Sequence, residues 1–299
     1  MPGAPQRPFN FRPPPHRSER SAGGGLAPGL YVVATPIGNL RDITLRALDV
    51  LAQVDLVLAE DTRVSGKLLK AHGLTCRLER YDEHGAARVR PRILTALADG
   101  ARIALISDAG TPLISDPGYR LVTEAVAQGS AVYPTPGASA VLAALTVAAL
   151  PTDRFMFVGF PPPKCAARRA FFAEIAPTRA TLVMFEGGSR LSASLADMAV
   201  AFGPRRAAVM RELTKLHETV VRGTLDVLAC DPRFAAPKGE MVVVVAPGTP
   251  TPASAREIDL ALADALEEVS PAEAAAVVAR RLGLRRRDAY ARVLALKGR

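Results

Sequence analysis

The side chains best suited to chemistry in this chain stand directly after short apolar runs. The run Ala101–Ile106 leads into the segment SDAGTPLISDPG, residues 107–118, which holds two Asp, two Gly and two Pro. Glycine lets the main chain approach a ligand closely, and proline pre-sets turn geometry. A plain connection needs only about 2–6 residues. Because ligands bind at the carboxyl ends of strands in open α/β sheets, this loop predicts a small-molecule site.

Four further segments place small or charged residues after apolar runs. The small residues of PTPGASA (134–140) leave room for a flat ring, and the start of the helix that follows this segment can bind a carboxylate or ring nitrogen. The segment RELTKLHE (211–218) is dense in titratable groups, and it is equally well explained as a functional site or as a salt-linked surface loop. None of them contains the phosphate-binding patterns G-x-x-x-x-G-K-[ST] or G-x-G-x-x-G, so a dinucleotide enzyme is disfavoured. The four segments are TPIGNL (35–40), AEDTR (59–63), PTPGASA (134–140) and RELTKLHE (211–218).

The elements that must position these loops follow from an alternation of short apolar runs with segments of helical period. Runs such as Leu56–Ala59 and Ile103–Ile106 are apolar throughout, as expected of strands covered on both faces. The alternation predicts α/β architecture with two such sets. The predicted divisions are a disordered tail at 1–29, α/β domains at 30–150 and 151–247, a linker at 248–256 and a helical unit at 257–299.

Composition limits the class of protein. The chain has 299 residues, of which 49% are hydrophobic but only 5% aromatic, with no Trp, so the cores must be aliphatic. Its longest apolar runs fall far short of the roughly 18–20 residues that span a bilayer. Neither a membrane span nor a signal peptide is predicted, which favours the cytoplasm. The four histidines and three cysteines lack ligand spacing, so we predict no metal site and isolated reduced thiols.

The net charge of +9 is confined to the two ends of the chain. Residues 1–29 carry +3 and residues 270–299 carry +6, so residues 30–269 are neutral overall. The basic ends suit a polyanionic partner, although cationic ends can also serve solubility alone.

The C-terminal basic stretch has the signals of two short helices. Ser270, Pro271 and Glu273 form a capping box with Pro at the first helical position, and Gly283 ends that helix. Three consecutive arginines then lead a second helix, where the helix dipole disfavours cations unless an anion is near. The pattern predicts a helix-turn-helix unit that contacts nucleic acid, and docking of the hairpin on the body is the alternative. The arginines are Arg285, Arg286 and Arg287.

Six segments in register resemble one family. LYVVATPIGNLRDITLRAL, LAEDTR, SDAGTPLISDPG, PTPGASA, MFE and RELTKLHE occur in the order found in bacterial 16S rRNA (cytidine-2′-O)-methyltransferases, the small-subunit methyltransferase I group of the tetrapyrrole-methylase superfamily. The resemblance covers about residues 30–247, and the terminal helical unit is similar to that group's helix-turn-helix. It implies two α/β domains with a cleft between them, S-adenosylmethionine as the methyl donor, no metal, and usually a homodimer. The implied partner is 16S rRNA in the small ribosomal subunit.

The resemblance also implies which residues line the donor site. The wider superfamily has a G-D-P loop where this chain has Gly110-Thr111-Pro112, so Thr111 replaces an acidic residue. Asp116 is expected to cap a helix rather than bind the donor. The implied donor-site residues are Pro36, Asp108, Ala109, Gly110, Thr111, Ile114, Ser139, Ala140, Phe185 and Glu186.

Methylation of a ribose hydroxyl gives the charged segments a function. Arg63 and Lys215, with Arg211, could hold phosphate or stabilise alkoxide character. Asp61, Glu212 and Glu218 could accept the hydroxyl proton or only fix those cations, and the sequence does not choose between these roles. Two other functions stay open. A porphyrinoid methyltransferase of the same superfamily explains the cleft but not the basic helical end, and a ligand-sensing DNA-binding regulator explains only that end.

Overall fold

The structure, a computed structural model, describes residues 25–83, 85–235, 237–248 and 255–297. Residues 1–24 of the predicted disordered tail therefore lie outside the described residues, as do residues 249–254 of the predicted linker. Within the described ranges the chain forms two five-stranded sheets with helices on both faces, followed by three helices. The α/β prediction and the C-terminal helical unit are confirmed.

The first sheet is entirely parallel, in the order β3-β2-β4-β1-β5. Its central strands are buried because α1 and α2 cover one face with aliphatic side chains, while α3 and α4 cover the other. The strands are β1 Gly29–Val33, β2 Leu56–Ala59, β3 Leu78–Arg80, β4 Arg102–Ile106 and β5 Val132–Thr135. The helices are α1 Leu45–Gln53, α2 Thr62–Ala71, α3 Ala86–Ala98, α4 Tyr119–Ala127 and α5 Ala140–Ala148.

The second sheet is mixed, in the order β6-β7-β10-β8-β9, with only the β6–β7 pair parallel. Helices α6, α7 and α8 pack on one face through residues such as Phe172, Leu191 and Leu228. The strands are β6 Phe155–Phe157, β7 Thr181–Gly187, β8 Arg206–Arg211, β9 Thr219–Thr224 and β10 Glu240–Val245. The helices are α6 Cys165–Ile175, α7 Gly188–Phe202 and α8 Leu225–Ala229.

Helix α5 joins the two sheets. It begins just after β5 of the first sheet, yet its buried residues pack on the second sheet against Val183, Met210 and Val244. At its other end the Arg222 Nε donates to the Val147 carbonyl at 3.0 Å, which satisfies a carbonyl that the helix leaves unpaired. The predicted domain boundary at 150/151 stays a prediction, because α5 precedes it but covers the second sheet.

The last three helices build their own core. They are α9 Ala255–Glu268, α10 Pro271–Leu282 and α11 Arg286–Lys297, and the core includes Leu262, Val278 and Val293. The predicted capping box forms, since the Ser270 N–H donates to the Glu273 carboxylate at 3.1 Å. Gly283 has a φ of 68°, the left-handed geometry that ends a helix. No helix among the described residues combines the length and apolarity needed to cross a bilayer.

Candidate functional site

Three predicted loops meet at the carboxyl edge of the first sheet, because β4, β1 and β5 are neighbours there. Thr35, after β1, exchanges main-chain hydrogen bonds with Gly110, after β4, at 2.8 and 3.1 Å. The Thr35 hydroxyl also donates to the Ser107 carbonyl at 3.1 Å. The Thr111 hydroxyl donates to the Ala138 carbonyl, after β5, at 3.3 Å. The three loops are therefore one hydrogen-bonded structure.

The loop after β4 holds backbone in unusual conformations. Gly110 has a φ of 78°, and Leu113 and Ser115 have positive φ of 74° and 66°. Positive φ in residues other than glycine is strained and concentrates at functional sites. The expectation that Asp116 caps the next helix is wrong: Gly118 is the cap residue of α4, and no side chain bonds there. The Asp116 carboxyl instead accepts a hydrogen bond from the Ser107 side chain.

The second sheet contributes an aromatic wall beside that loop. Phe185 of β7 packs edge-on against Phe157 at 4.8 Å and Phe160 at 5.5 Å between ring centroids. The Phe185 N–H donates to the Gly159 carbonyl at 3.0 Å. A Cβ on Gly159 would lie 3.7 Å from the Ser115 hydroxyl. The strained loop of the first sheet therefore lies against the Phe185 region of the second.

The segment RELTKLHE, residues 211–218, approaches the loop after β1 from the second sheet. A Cβ on Gly38 would overlap the Lys215 Cγ and lie 3.0 Å from the Leu213 carbonyl oxygen, so only glycine fits. The Lys215 ammonium pairs with Glu240 at 2.9 Å and Glu212 at 3.1 Å. Burial acts to lower the Lys215 pKa, but these two carboxylates raise it overall. Lys215 therefore stays protonated and lies beside the loop after β1.

Arg63 follows β2, which lies two strands from β1 in the first sheet, whereas Lys215 contacts the loop after β1. Its guanidinium pairs with Asp61 at 2.6 Å while 87% of its side chain stays exposed. Hydrogen bonds from Arg63 hold the pKa of the Asp61 carboxyl far below its usual value. The Asp61 N–H donates to the Asp108 carboxylate at 3.0 Å, which ties this segment to the loop after β4. Since neighbouring strands lie about 4.8 Å apart, Arg63 and Lys215 flank the site rather than share one contact.

Carboxylates at this edge differ in proton affinity. Burial, and then the charge of Glu60, raises the pKa of Asp116 to about 6. Burial first and neighbouring carboxylates second also raise the pKa of Glu60 and of Asp108, with the Asp61 N–H opposing the shift at Asp108. The Glu212 pKa is lowered, chiefly by a hydrogen bond from the Glu240 N–H. Asp61 and Glu212, the proton acceptors that the sequence suggested, are therefore held as ion-pair partners.

The ten predicted donor-site residues fall into two groups. Three of them are buried, and the Glu186 side chain lies on the α7 face, where its oxygens accept from Gly187, Arg190 and Ser194. Only the main chain of Glu186 is left to border a ligand. The buried residues are Pro36, Gly110 and Glu186. Those that keep exposed surface are Asp108, Ala109, Thr111, Ile114, Ser139, Ala140 and Phe185.

The sequence reasoning missed several residues of this site. Glu60 lies in the segment AEDTR, but the sequence analysis predicts no role for it. A charged residue directly after a buried strand nevertheless indicates a position at the site. Gly159 and Phe160 follow β6 and show no motif. Thr135 and Thr214 carry buried hydroxyls without a partner among the described residues. Because a buried polar group without a partner is costly, these hydroxyls are positions where a ligand would be favoured.

Comparison with known proteins agrees with this architecture. Residues 29–229 match the family Tetrapyrrole (Corrin/Porphyrin) Methylases, and residues 252–297 match the RsmI C-terminal HTH domain. The uroporphyrin-III-C-methyltransferase from Thermus thermophilus has a similar fold, with a TM-score of 0.52, 21% identity, and coverage of 72% of this chain and 93% of that one. Diphthine synthase has a TM-score of 0.54 at 17% identity, covering 73% and 89%. The chain belongs to the tetrapyrrole methylase family.

Relatives within the family share one name. The protein named ribosomal RNA small subunit methyltransferase I from Mesorhizobium japonicum is 48% identical over 275 residues, which is 91% of this chain and 93% of that protein. Its namesake from Pseudomonas aeruginosa is 44% identical over 282 residues, 90% and 98% respectively. The resemblance seen in the sequence motifs is confirmed.

Proposed function

We propose that this chain transfers a methyl group from S-adenosylmethionine to the 2′-oxygen of a cytidine in the decoding region of 16S rRNA. One observation carries the proposal: similarity to relatives named ribosomal RNA small subunit methyltransferase I extends over about nine-tenths of both chains. It therefore includes both the two-sheet body and the arginine-bearing unit. A porphyrinoid methyltransferase would need the cleft but not that unit.

The residues of the cleft fit the methyl donor. The sulfonium and amino groups of S-adenosylmethionine are cationic, and the pKa values of Glu60, Asp108 and Asp116 are raised, first by burial and then by repulsion from neighbouring carboxylates. A cation near them would relieve that repulsion. Phe185 and the exposed Ile114 offer apolar surface, and the Thr135 hydroxyl would gain a partner. We propose the ten residues predicted from sequence as the donor site, with Glu186 acting only through its main chain.

When bound, the donor supplies an electrophilic methyl carbon: its bond to sulfur breaks as the bond to the ribose oxygen forms, and the ribose proton leaves to a base. The chain's own residues must align the two substrates and exclude water. We propose that Arg63 and Lys215 hold the RNA phosphate or stabilise charge on the ribose oxygen. Their carboxylate partners Asp61 and Glu212 hold them in place, and no base is assigned.

The cellular setting belongs to the same proposal. In line with the relatives' names, we propose the small ribosomal subunit as partner. We also propose a homodimer as the working form and the cytoplasm as location, as the sequence analysis predicted. Arg285, Arg286 and Arg287 would contact RNA from the C-terminal unit.

The decisive experiment supplies labelled methyl donor to the purified protein with unmodified small ribosomal subunits or with protein-free 16S rRNA. Label in rRNA that maps to a cytidine 2′-oxygen supports the proposal, and the better substrate identifies the partner. Label on a base, or no label in either RNA, contradicts it. A mass increase on tetrapyrrole acids would instead support the porphyrinoid alternative, and calorimetry without heat on adding S-adenosylmethionine would refute both.

A further inference from the structure

Helix α2 carries three cations on one exposed face. Arg63, Lys67 and Lys70 follow one another at spacings of four and three residues, which places them along one side of a helix. All three side chains are exposed. The span Thr62–Ala71 contains no Asp or Glu. We call these three residues the α2 stripe.

The stripe works against the stability of its own helix. Like charges three or four residues apart repel each other, and Arg63 in the first turn opposes the helix dipole, whereas Lys70 in the last turn is favoured by it. Asp61 compensates Arg63 alone. For Lys67 and Lys70 the described structure shows no acidic partner. Helix α3 is also basic and free of acids, but there two of the three arginines are paired, Arg90 with Glu124 and Arg92 with Glu79.

Both ends of α2 are tied to the loops of the candidate site. At its start, the Asp61 N–H donates to the Asp108 carboxylate after β4 at 3.0 Å. At its end, the His72 Nε2 lies 3.2 Å from the Leu40 carbonyl, in the short turn that follows the loop after β1. A carbonyl only accepts, so this ring nitrogen carries the hydrogen. The helix that carries the α2 stripe is therefore connected at both ends to loops of the candidate site.

We propose that the α2 stripe binds backbone phosphates of the RNA substrate and aligns the strand beside the cleft. This inference rests on the proposed function, since it names how the same substrate is held. At about 1.5 Å of rise per residue, the three cations lie roughly 6 and 4.5 Å apart along the helix. Lysine recognises phosphate as a point charge, which positions a backbone without reading its bases.

Charge favours RNA over the other occupants of such a face. Val64 is the one large apolar residue exposed on α2, so the face offers little to a lipid surface or an apolar protein groove. The body of the chain is neutral between residues 30 and 269, so the stripe is a local excess of charge rather than part of a general one. An acidic protein is the remaining alternative and is an outcome of the test.

The test compares two double variants of the full chain. Lys67→Gln with Lys70→Gln removes two charges from the stripe. Arg154→Gln with Arg179→Gln removes two from exposed positions at the amino ends of β6 and β7. Neither pair belongs to the proposed catalytic or donor-binding residues. Affinity for protein-free 16S rRNA is measured between 50 and 200 mM salt, as roughly the range over which counterion release is resolved.

We expect the stripe variant to lose about tenfold in affinity near 0.1 M salt, with a salt slope shallower by about 1.4–1.8. The control variant should keep the slope and affinity of the unmodified chain, and both should bind S-adenosylmethionine as the unmodified chain does. A stripe variant with unchanged affinity and slope, as a surface for an acidic protein would give, overturns the inference, and so does an equal loss in the control. If the unmodified chain methylates rRNA while the stripe variant binds normally, only this inference fails. If the unmodified chain neither binds nor methylates rRNA, the proposed function fails with it.

Discussion

At the scale of single residues, two aspartates at the carboxyl edge of the first sheet acquire opposite shifts in pKa from their surroundings. Arg63 holds the Asp61 pKa low, whereas burial beside Glu60 raises that of Asp116 to about 6. The two groups have nearly the same pKa in an unfolded chain. The difference is therefore a property of the folded carboxyl edge, and pH should affect stability through Asp116.

Asp116→Asn should stabilise the protein at neutral pH but not in acid. The folded-state pKa of about 6 lies above the unfolded value of 3.8, so the stability contribution is complete below about pH 4 and lost as pH rises through 6. The amide stays neutral throughout. Allowing for partial exposure, we expect the variant to gain roughly 1–2 kcal/mol at pH 7.5. Urea unfolding at pH 4, 5 and 7.5 measures this, and a gap that does not grow with pH contradicts it.

Arg63→Ala and Lys215→Met should each slow methyl transfer. If these cations stabilise charge at the ribose oxygen, loss of either should cost about 10–100-fold in single-turnover rate at saturating substrates. Arg63→Lys, which keeps the charge, should recover part of the rate. Thermal unfolding checks that Lys215→Met folds, because Glu212 and Glu240 lose their partner. Full single-turnover rates in both variants would remove the proposed role.

At the scale of elements, the site depends on two segments of different sheets that meet without room for a side chain. Gly38, after β1, lies against residues 213–215 of the second sheet. Glu212 and Thr214 have positive φ there, at 53° and 66°, so that loop has little freedom to retreat.

Gly38→Ala should therefore weaken donor binding and stability together. We expect a loss of about 1–3 kcal/mol in unfolding free energy, from overpacking against main chain. Donor affinity should fall because the loops after β1 and β4 share hydrogen bonds. The matched control is Gly66→Ala within α2, where the new Cβ meets only Leu78 at 3.8 Å. Calorimetry with S-adenosylmethionine measures the affinity, and equal affinities of the two variants would contradict the expectation.

At the scale of the whole molecule, the C-terminal unit has its own hydrophobic core and also contains the stretch of the chain that holds most of its net positive charge. The α9–α11 unit has a hydrophobic core made from its own helices, and residues 270–299 carry +6. Arg285, Arg286 and Arg287 are exposed where α11 begins. Loss of their charge should therefore leave the donor site unaffected.

Replacing Arg285, Arg286 and Arg287 with Gln should lower rRNA affinity and flatten its salt dependence, by about 0.7–0.9 in slope for each phosphate that is no longer neutralised. Donor binding should stay as in the unmodified chain. Affinities at several salt concentrations, together with calorimetry, measure both quantities. Unchanged rRNA affinity across salt would assign the arginines to packing.

The sequence predicted the buried central strands and also the partly exposed edge strands β5 and β6, where it has the apolar runs Ala131–Tyr133 and Phe155–Phe160. Central strands such as β2 and β4 are apolar almost throughout because both of their faces are covered. This pattern can be recognised from the amino-acid sequence alone. The edge strands β3 and β9 were missed because partial exposure admits polar residues: Leu78–Arg80 reads LER and Thr219–Thr224 reads TVVRGT. Helix α9 lies almost entirely inside the predicted helical unit at 257–299, but its start and end were not predicted, since the capping signals in the sequence begin at Ser270.

By itself, the sequence determined the α/β class, the loops that carry the site and the basic helical end, because apolar periodicity and turn residues act locally. Only the tertiary structure decided that Asp116 bonds Ser107, that Glu186 faces α7, and that Asp61 and Glu212 serve ion pairs. It also placed Gly159 of the second sheet against the strained loop of the first. These outcomes depend on which elements pack together and on the resulting burial of charge, and neither is encoded at any single position.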